Sequence, residues 1–204
     1  MLMNYKKEII CVLDPMCSWC WGFEPVLKEL QKNLPSDIKL SLCMGGLRSK
    51  GQEAWTPAFK SYLQKNWQNV HAQTSQAFNL SLLEKKAFDY DTEPACRAVI
   101  SAKKIDINKQ FSFLYALQKA FYQEAKDITD TNVILEIAKQ EGFDAKEFLE
   151  IFSSEKIKEA TLADKYKARS MGANSFPSLV FIDEEGHLYV LKGYKSFDKI
   201  KKHL

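Results

Sequence analysis

The feature that most constrains the fold of this chain is a pair of cysteines, Cys17 and Cys20, separated by two residues. They follow a short apolar segment at residues 9–13 that is typical of a buried strand, and they precede residues with the apolar spacing of an amphipathic helix. A strand, a C-x-x-C pair and a helix in this order are typical of a thiol redox site. The chain is therefore expected to place a reactive dithiol at a strand-to-helix turn.

The two cysteines are expected to have different roles. If they lie three residues apart on the first helical turn, their Cβ atoms are about 5–6 Å apart, close enough for a disulfide to form with small adjustments. Cys17 would then stand at the helix N-terminus, where unpaired backbone N–H groups and the helix dipole favour a thiolate over a thiol. We predict that Cys17 is the accessible nucleophile and that Cys20, on the apolar face, resolves the mixed disulfide.

A structural zinc site is the alternative interpretation of a C-x-x-C pair. Such a site needs a second pair of ligands, for example another C-x-x-C or two histidines with suitable spacing. The remaining cysteines and histidines are isolated along the sequence: Cys11, Cys43, Cys96, His71, His187 and His203. We therefore expect a redox site and no metal.

Composition limits the range of functions. With 204 residues and 46% hydrophobic content, the chain can bury a substantial core. Its 29 basic and 26 acidic residues are nearly balanced and form no long basic run, so nucleic acid is not an expected partner. The first 13 residues contain charges where a signal peptide has its apolar core, no apolar run reaches about 20 residues, and the cysteine count is odd. These features predict a cytoplasmic protein without a membrane segment.

Apolar periodicity predicts two regions. Strands are expected at 9–13 and 37–43 around the first helix, and a hairpin at 179–182 and 188–191 precedes a last helix capped by Ser196. Helical periodicity prevails between them, apart from an ordered loop at 73–91. Five helices are predicted after that loop: one capped by Thr92, one over 108–125, one over 131–141, one capped by Asp144, and one over 154–171. We predict one domain from residues 1–54 and 173–204, and an all-helical insertion domain at 55–172.

Several motifs resemble the thioredoxin superfamily. Pro25 lies eight residues after Cys17, where active-site helices of that superfamily often carry a kinking proline, and Phe176-Pro177 resembles its cis-proline loop. Within the superfamily, the segments at 14–23, 43–46 and 92–98 resemble the FrnE-type branch of the DsbA-like proteins.

The resemblance implies an α/β protein with a thioredoxin-like fold interrupted by an all-helical insertion domain. It implies a thiol-disulfide oxidoreductase or dithiol-disulfide isomerase that acts on protein or peptide thiols and disulfides. No cofactor is expected besides the redox-active disulfide, with thioredoxin or glutathione as candidate recycling reductants. The expected catalytic residues are Cys17 and Cys20, and the expected substrate-binding residues are Trp19, Trp21, Phe176 and Pro177.

One residue departs from the family pattern. Cys11 lies six residues before Cys17, where many thioredoxin-like proteins keep a buried acid that moves protons to and from the resolving cysteine. Asp14, Glu24 or a bound water are the candidate replacements. Cys11 itself is expected to be a small core residue.

Two other functional classes stay open at this point. The chain also resembles kappa-class glutathione transferases and 2-hydroxychromene-2-carboxylate isomerases, which look like the same fold with the same insertion. Membership of that group would make it a glutathione-linked transferase or isomerase of small molecules. Those relatives typically have serine and no resolving cysteine, whereas this chain has both Cys17 and Cys20. The third class is a non-catalytic peptide-binding or chaperone module with an aromatic cleft.

Overall fold

The computed structural model describes residues 7–48 and 51–204. The strands are β1 (Lys7–Leu13), β2 (Ile38–Met44), β3 (Ser178–Ile182) and β4 (Leu188–Lys192). The helices are α1 (Ser18–Lys32), α2 (Pro57–Thr74), α3 (Glu93–Ile105), α4 (Gln110–Tyr122), α5 (Thr131–Gln140), α6 (Ala145–Ser153), α7 (Glu155–Ser170) and α8 (Phe197–Lys201). Short 3₁₀ helices span Leu80–Glu84 and Ile107–Lys109.

The four strands form one sheet in the order β2-β1-β3-β4. β1 lies inside the sheet, parallel to β2 and antiparallel to β3, with Cys11 opposite Leu42 on one side and Leu179 on the other. β4 is the antiparallel partner of β3 at the sheet edge. Because β1 and β2 are parallel, their carboxyl ends meet at the same edge, and the residues that follow them come together there.

Both faces of the sheet are covered. Ile9 and Leu13 of β1 belong to the large core cluster that includes α1, whereas Ile10 and Val12 pack in a smaller cluster with Ala168 of α7. Successive side chains of a strand point to opposite faces, so a strand covered on both sides must be apolar throughout. This explains the uninterrupted apolar segment that predicted β1.

The middle of the chain is helical, as predicted, and the expected α/β fold with a helical insertion is confirmed. The division of the chain at 54/55 and at 172/173 stays a prediction. α7, which lies on the insertion side of that division, contacts β2 and covers the second face of the sheet. Among the residues that the structure describes, no helix is both long and apolar enough to cross a bilayer.

Some element boundaries differ from those predicted. The helix expected over 108–125 begins as the 3₁₀ turn at Ile107–Lys109, and α4 ends at Tyr122, before Ala125 adopts a left-handed φ of 53° that no helix continues through. The loop expected at 73–91 contains the 3₁₀ helix Leu80–Glu84. Each change arises from local backbone geometry that apolar periodicity does not encode.

The predicted helix caps were right in part. Asp144 accepts a hydrogen bond from the backbone N–H of Glu147 at 2.8 Å, as a cap should. Thr92 and Ser196 precede their helices, but neither side chain caps its helix. The Thr92 hydroxyl instead donates to the carbonyl oxygen of Arg48 at 3.2 Å, and this bond joins α3 to the segment after β2.

Candidate active site

The cysteine pair lies at the start of α1. Cys17 is the N-cap residue, with an extended backbone (φ −89°, ψ 115°), and its carbonyl accepts hydrogen bonds from the N–H groups of Cys20 (2.9 Å) and Trp21 (3.1 Å). The prediction that both cysteines lie within the first helical turn is therefore wrong by one residue, because α1 begins at Ser18. As the N-cap, Cys17 lies next to the unpaired N–H groups of that turn.

The two thiols differ less in exposure than predicted. Cys17 is 6% exposed and Cys20 is 2% exposed, so both are buried, although Cys17 lines a cavity in front of the helix. Burial, and secondly the neighbouring Cys17 thiol, raise the pKa of Cys20 well above its usual range. Cys20 is therefore protonated at neutral pH, as expected for the thiol that does not start the reaction.

The loop before β3 reaches the cysteine pair. The thiol of Cys17 lies 3.7 Å from the carbonyl oxygen of Phe176 and donates to it. The Phe176–Pro177 peptide bond is cis, the geometry expected from the sequence. Pro177 is buried and Phe176 is half-buried. The loop is thus in contact with the Cys17 sulfur, and its part in substrate binding stays a prediction.

Gly45, directly after β2, makes room for the ring of Phe176. A Cβ atom at residue 45 would lie less than 3.0 Å from three carbon atoms of that ring. The N–H of Gly45 donates to the carbonyl oxygen of Leu13 at 2.8 Å, which holds the ends of β1 and β2 side by side. The ring of Phe176 therefore fills the space that a side chain at residue 45 would need.

A cavity of about 180 Å³ opens in front of Cys17. The loop before α1, the segment after β2, one face of α2 and Phe176 form its walls. Trp19 lines it and is half-buried, with its ring 5.9 Å from the ring of Tyr194. The structure thus brings Cys17, Trp19 and Phe176 together around one cavity.

Trp21 is a correction to the predicted substrate-binding set. It is 1% exposed, does not line the cavity, and its indole N–H donates to the carbonyl oxygen of Ala77 at 3.0 Å. Its ring stacks on Tyr115 and Tyr122, with centroids 6.0 and 6.1 Å away. Trp21 therefore packs α1 against the helical region and does not face a substrate.

Asp14 is a fully buried acid beside the cysteine pair. Its carboxylate accepts hydrogen bonds from the N–H of Met16 (2.8 Å), the N–H of Leu47 (2.7 Å) and the thiol of Cys96 (3.4 Å). Burial raises the pKa of the Asp14 carboxyl group, and these donors partly offset the effect. Burial is the main cause of the raised pKa of the Cys20 thiol, and the charge of the nearby Asp14 carboxylate adds to it. Asp14 thus ties the active-site loop to the end of β2 and to α3.

The other candidates for the missing acid lie in different surroundings. Glu24 is paired with Lys28 at 2.5 Å on α1 and accepts from Gln76 at 3.4 Å. Cys11 is a buried core residue, as expected, and burial raises the pKa of its thiol. Cys96, which the sequence shows as an isolated cysteine, donates to Asp14. Of the acids considered, Asp14 is the one whose charge acts on the Cys20 thiol.

Sequence reasoning missed three residues that line the cavity. Tyr62 and Asn66 lie on α2, where helical periodicity alone does not show which side chains face a cavity; Tyr62 is 53% exposed and Asn66 is half-buried. Arg48 lies two residues after Gly46 at the carboxyl end of β2. Its position after a parallel strand beside β1 is the signal that could have identified it.

Potential metal ligands cluster elsewhere. Among residues 7–48 and 51–204, the grouping that could hold an ion consists of Asp183, Glu185 and His187 in the turn between β3 and β4. None of the five cysteines belongs to it, and all five are free thiols.

Comparison with known proteins shows the relationship. A family model described as thioredoxin matches residues 11–202. A candidate protein disulfide isomerase from Nitrosomonas europaea is 30% identical, with a TM-score of 0.85 over 96% of this chain and 94% of that one. Cytosolic disulfide reductase DsbM from Pseudomonas aeruginosa is 23% identical, with a TM-score of 0.77 over 91% of this chain and 89% of that one, and shares the fold.

Curated relatives carry a different name. ClpXP adapter protein SpxH from Bacillus subtilis is 25% identical over 185 residues, which cover 87% of this chain and 59% of that protein. The chain thus spans about three fifths of the length of the curated relatives that it matches. Because the thioredoxin family model covers nearly the whole chain and the fold matches solved disulfide oxidoreductases, the chain belongs to the thioredoxin family and has a DsbA-like fold.

Proposed function

We propose that this protein is a thiol-disulfide oxidoreductase that exchanges disulfides with protein or peptide substrates through Cys17 and Cys20. The observation that carries the proposal is the position of the Cys17 thiol. It belongs to the N-cap residue of α1, lines a cavity, and lies 3.7 Å from the carbonyl oxygen of Phe176, and it raises the pKa of the neighbouring Cys20 thiol after burial does. The oxidoreductase fold of the family supports the same reading.

The reaction proceeds in two exchanges. The Cys17 thiolate attacks one sulfur of a substrate disulfide; a new S–S bond joins Cys17 to the substrate, the substrate S–S bond breaks, and the released thiolate takes up a proton. Cys20 then gives up its proton and attacks the Cys17 sulfur, which releases the second substrate thiol and leaves a Cys17–Cys20 disulfide. Two electrons pass to the substrate, and a thiol reductant such as thioredoxin or glutathione restores the dithiol. Oxidation of a substrate reverses these steps.

We favour reduction or isomerisation in the cytoplasm over net oxidation. A reducing compartment makes net donation of disulfides thermodynamically unfavourable. An odd number of cysteines suits such a compartment. A cytosolic disulfide reductase has the same fold. Membership of the FrnE-type branch stays a prediction.

Two specific observations support other functions. The P. aeruginosa reductase is also known in a structure with GSH, which favours glutathione as reductant or substrate and keeps the small-molecule reading as the second candidate. The curated relatives are named ClpXP adapters, which favours recognition of a protein without turnover. An adapter that works by binding alone would keep its full effect after Cys17→Ser.

The test is a trapping experiment in cells. Cys20→Ser removes the thiol that ends the mixed disulfide, so this variant should accumulate covalent adducts with several proteins, seen on non-reducing gels and released by dithiothreitol. Cys17→Ser is the matched control and should form none. Adducts with glutathione alone would favour the small-molecule function. If Cys17→Ser traps proteins as well as Cys20→Ser does, the proposed roles of the two cysteines are wrong.

A further inference from the structure

We propose that the cavity in front of Cys17 contains a carboxylate-recognition subsite formed by Arg48 and Asn66, so that the preferred substrates are disulfides with an acidic group close to the reactive sulfur. This inference rests on the proposed function and adds a substrate class to it. The charge and the unpaired donors of the cavity wall support it.

The wall of the cavity carries one charge. Among the described residues that line it, Arg48 is the charged side chain, and no carboxylate is present. The other lining residues are apolar, aromatic or neutral. A single cation in a small, mostly apolar cavity attracts an anionic group and disfavours a cationic one.

Two aromatic rings hold the Arg48 side chain in place, and some of its N–H donors have no partner among the described residues. Its guanidinium lies over the rings of Phe59 and Tyr90, 5.0 and 5.9 Å from their centroids, and its side chain is 16% exposed. Nη1 donates to Glu53 at 2.8 Å, but the buried Nε–H has no hydrogen-bond partner in the described structure. A buried unpaired donor is unfavourable and is the kind of group that a ligand satisfies.

The ion pair with Glu53 leaves the guanidinium able to bind a second acid. Glu53 is 41% exposed, lies outside the cavity wall, and occupies one nitrogen of the guanidinium. An ion pair with an exposed carboxylate contributes little free energy of stabilisation, because water competes for both charges. The guanidinium has five N–H donors, and a carboxylate can bind two parallel ones at another edge.

Asn66 supplies a second donor on the opposite element. It lies on α2, one helical turn after Tyr62, and its side-chain amide makes no hydrogen bond within residues 7–48 and 51–204. The hydroxyl of Tyr90, by contrast, already donates to the carbonyl oxygen of Met16 at 2.7 Å. The indole N–H of Trp67 also lines the cavity and has no partner in the described structure. Arg48 and Asn66 are the donors that we assign to the carboxylate, because Arg48 carries the charge and Asn66 faces the same cavity from α2.

The size of the cavity limits the group that enters it. A volume of about 180 Å³ is smaller than a typical drug-sized pocket and suits one side chain or one short carboxylate arm. An Asp or Glu next to the reacting cysteine of a peptide would meet this requirement, and so would the carboxylate arms of glutathione disulfide. The shared chemistry is a carboxylate within a few bonds of the disulfide.

The test compares matched disulfides. Two short cystine peptides, identical except for Glu or Gln next to the cysteine, would be reduced by the full chain, and kcat/KM would be measured for each. Wild type should prefer the Glu peptide by about tenfold, the effect expected of one added charge-assisted bond pair. Arg48→Gln and Asn66→Ala should each lower that ratio towards one, and Arg48→Lys should keep part of it. Lys126→Gln, which removes a cation that does not line the cavity, should leave the ratio unchanged.

Glutathione disulfide and its tetramethyl ester form the second arm and identify the source of the carboxylate. If only glutathione disulfide is preferred over its ester, the subsite serves that small molecule. If the Glu peptide is preferred as well, the subsite serves acidic sequences. Either result supports the subsite. Turnover of all four compounds without preference overturns the subsite but leaves the oxidoreductase intact. Turnover of none overturns both proposals.

Discussion

Replacing Gly45 by alanine should disrupt the active site through one aromatic ring. The added Cβ would lie less than 3.0 Å from three ring carbons of Phe176, whereas ordinary contacts between carbons are 3.4–4 Å. The ring, or the loop that carries it, must therefore recede by roughly 1 Å. Residue 45 has no left-handed φ, so the backbone of alanine is tolerated there and the ring is the obstacle.

The size of the expected loss of activity follows from the distance between the Phe176 loop and the Cys17 sulfur. The Phe176 carbonyl oxygen lies 3.7 Å from the Cys17 sulfur, so a shift of the loop changes the groups beside the nucleophile. Overpacking of this kind costs about 1–3 kcal/mol of unfolding free energy, and a displacement of about 1 Å at a reacting group can cost about 100-fold in rate. We expect Gly45→Ala to lower kcat/KM for a peptide disulfide by about 10- to 100-fold.

The assay separates the ring from any other effect of the methyl group. Reduction of a fluorescent peptide disulfide and urea unfolding would be measured for wild type, Gly45→Ala, Phe176→Ala and the double variant. In the Phe176→Ala background the methyl group meets an empty space, so the second substitution should change neither kcat/KM nor stability by more than about twofold or ~0.5 kcal/mol. Equal losses from Gly45→Ala in both backgrounds would refute the reasoning.

Three other predictions concern the thiols, the buried acid and helix packing. Iodoacetamide at neutral pH should alkylate Cys17 first, because burial raises the pKa of the other four thiols, and raises that of Cys43 to about 12. Mass spectrometry that finds a different cysteine labelled first would contradict this prediction. The raised pKa of Asp14 means that its contribution to stability is complete below about pH 4 and is lost as pH rises through the folded-state pKa. The unfolding free energy of wild type should therefore fall over that window relative to that of Asp14→Asn, and a relative rise would exclude the assignment. Gly22→Ala should destabilise the fold by about 1–3 kcal/mol in urea unfolding, since its Cβ would lie within 3.0 Å of Val70 on α2; unchanged stability would show that the two helices separate easily.

The parts of the site that the sequence predicted are those fixed by local order along the chain. A C-x-x-C pair between a buried strand and a helix places both thiols at the strand-to-helix turn, and this placement depends on local sequence alone. The cavity wall could not be predicted in this way. Arg48 and Asn66 line the same cavity only because tertiary packing brings the segment after β2 and one face of α2 together.

The misassignment of Trp21 has a simple geometric cause. Consecutive residues of an α-helix are about 100° apart, so Trp19 and Trp21 lie about 200° apart and face nearly opposite directions. One tryptophan can therefore line the cavity only if the other points away from it. In the structure, Trp19 lines the cavity and Trp21 is buried in the interior.

That interior position has a consequence for anyone who wants to shorten the protein. Trp21 donates to Ala77 and stacks on Tyr115 and Tyr122, while Tyr90 donates to the carbonyl oxygen of Met16, directly before the first cysteine. A trimmed redox domain that lacks the helices would expose a large aromatic surface on the cysteine-bearing helix and release the loop before it. An engineer would have to replace Trp21 with a polar residue and supply a new donor for Met16 before such a miniature could hold its dithiol in place.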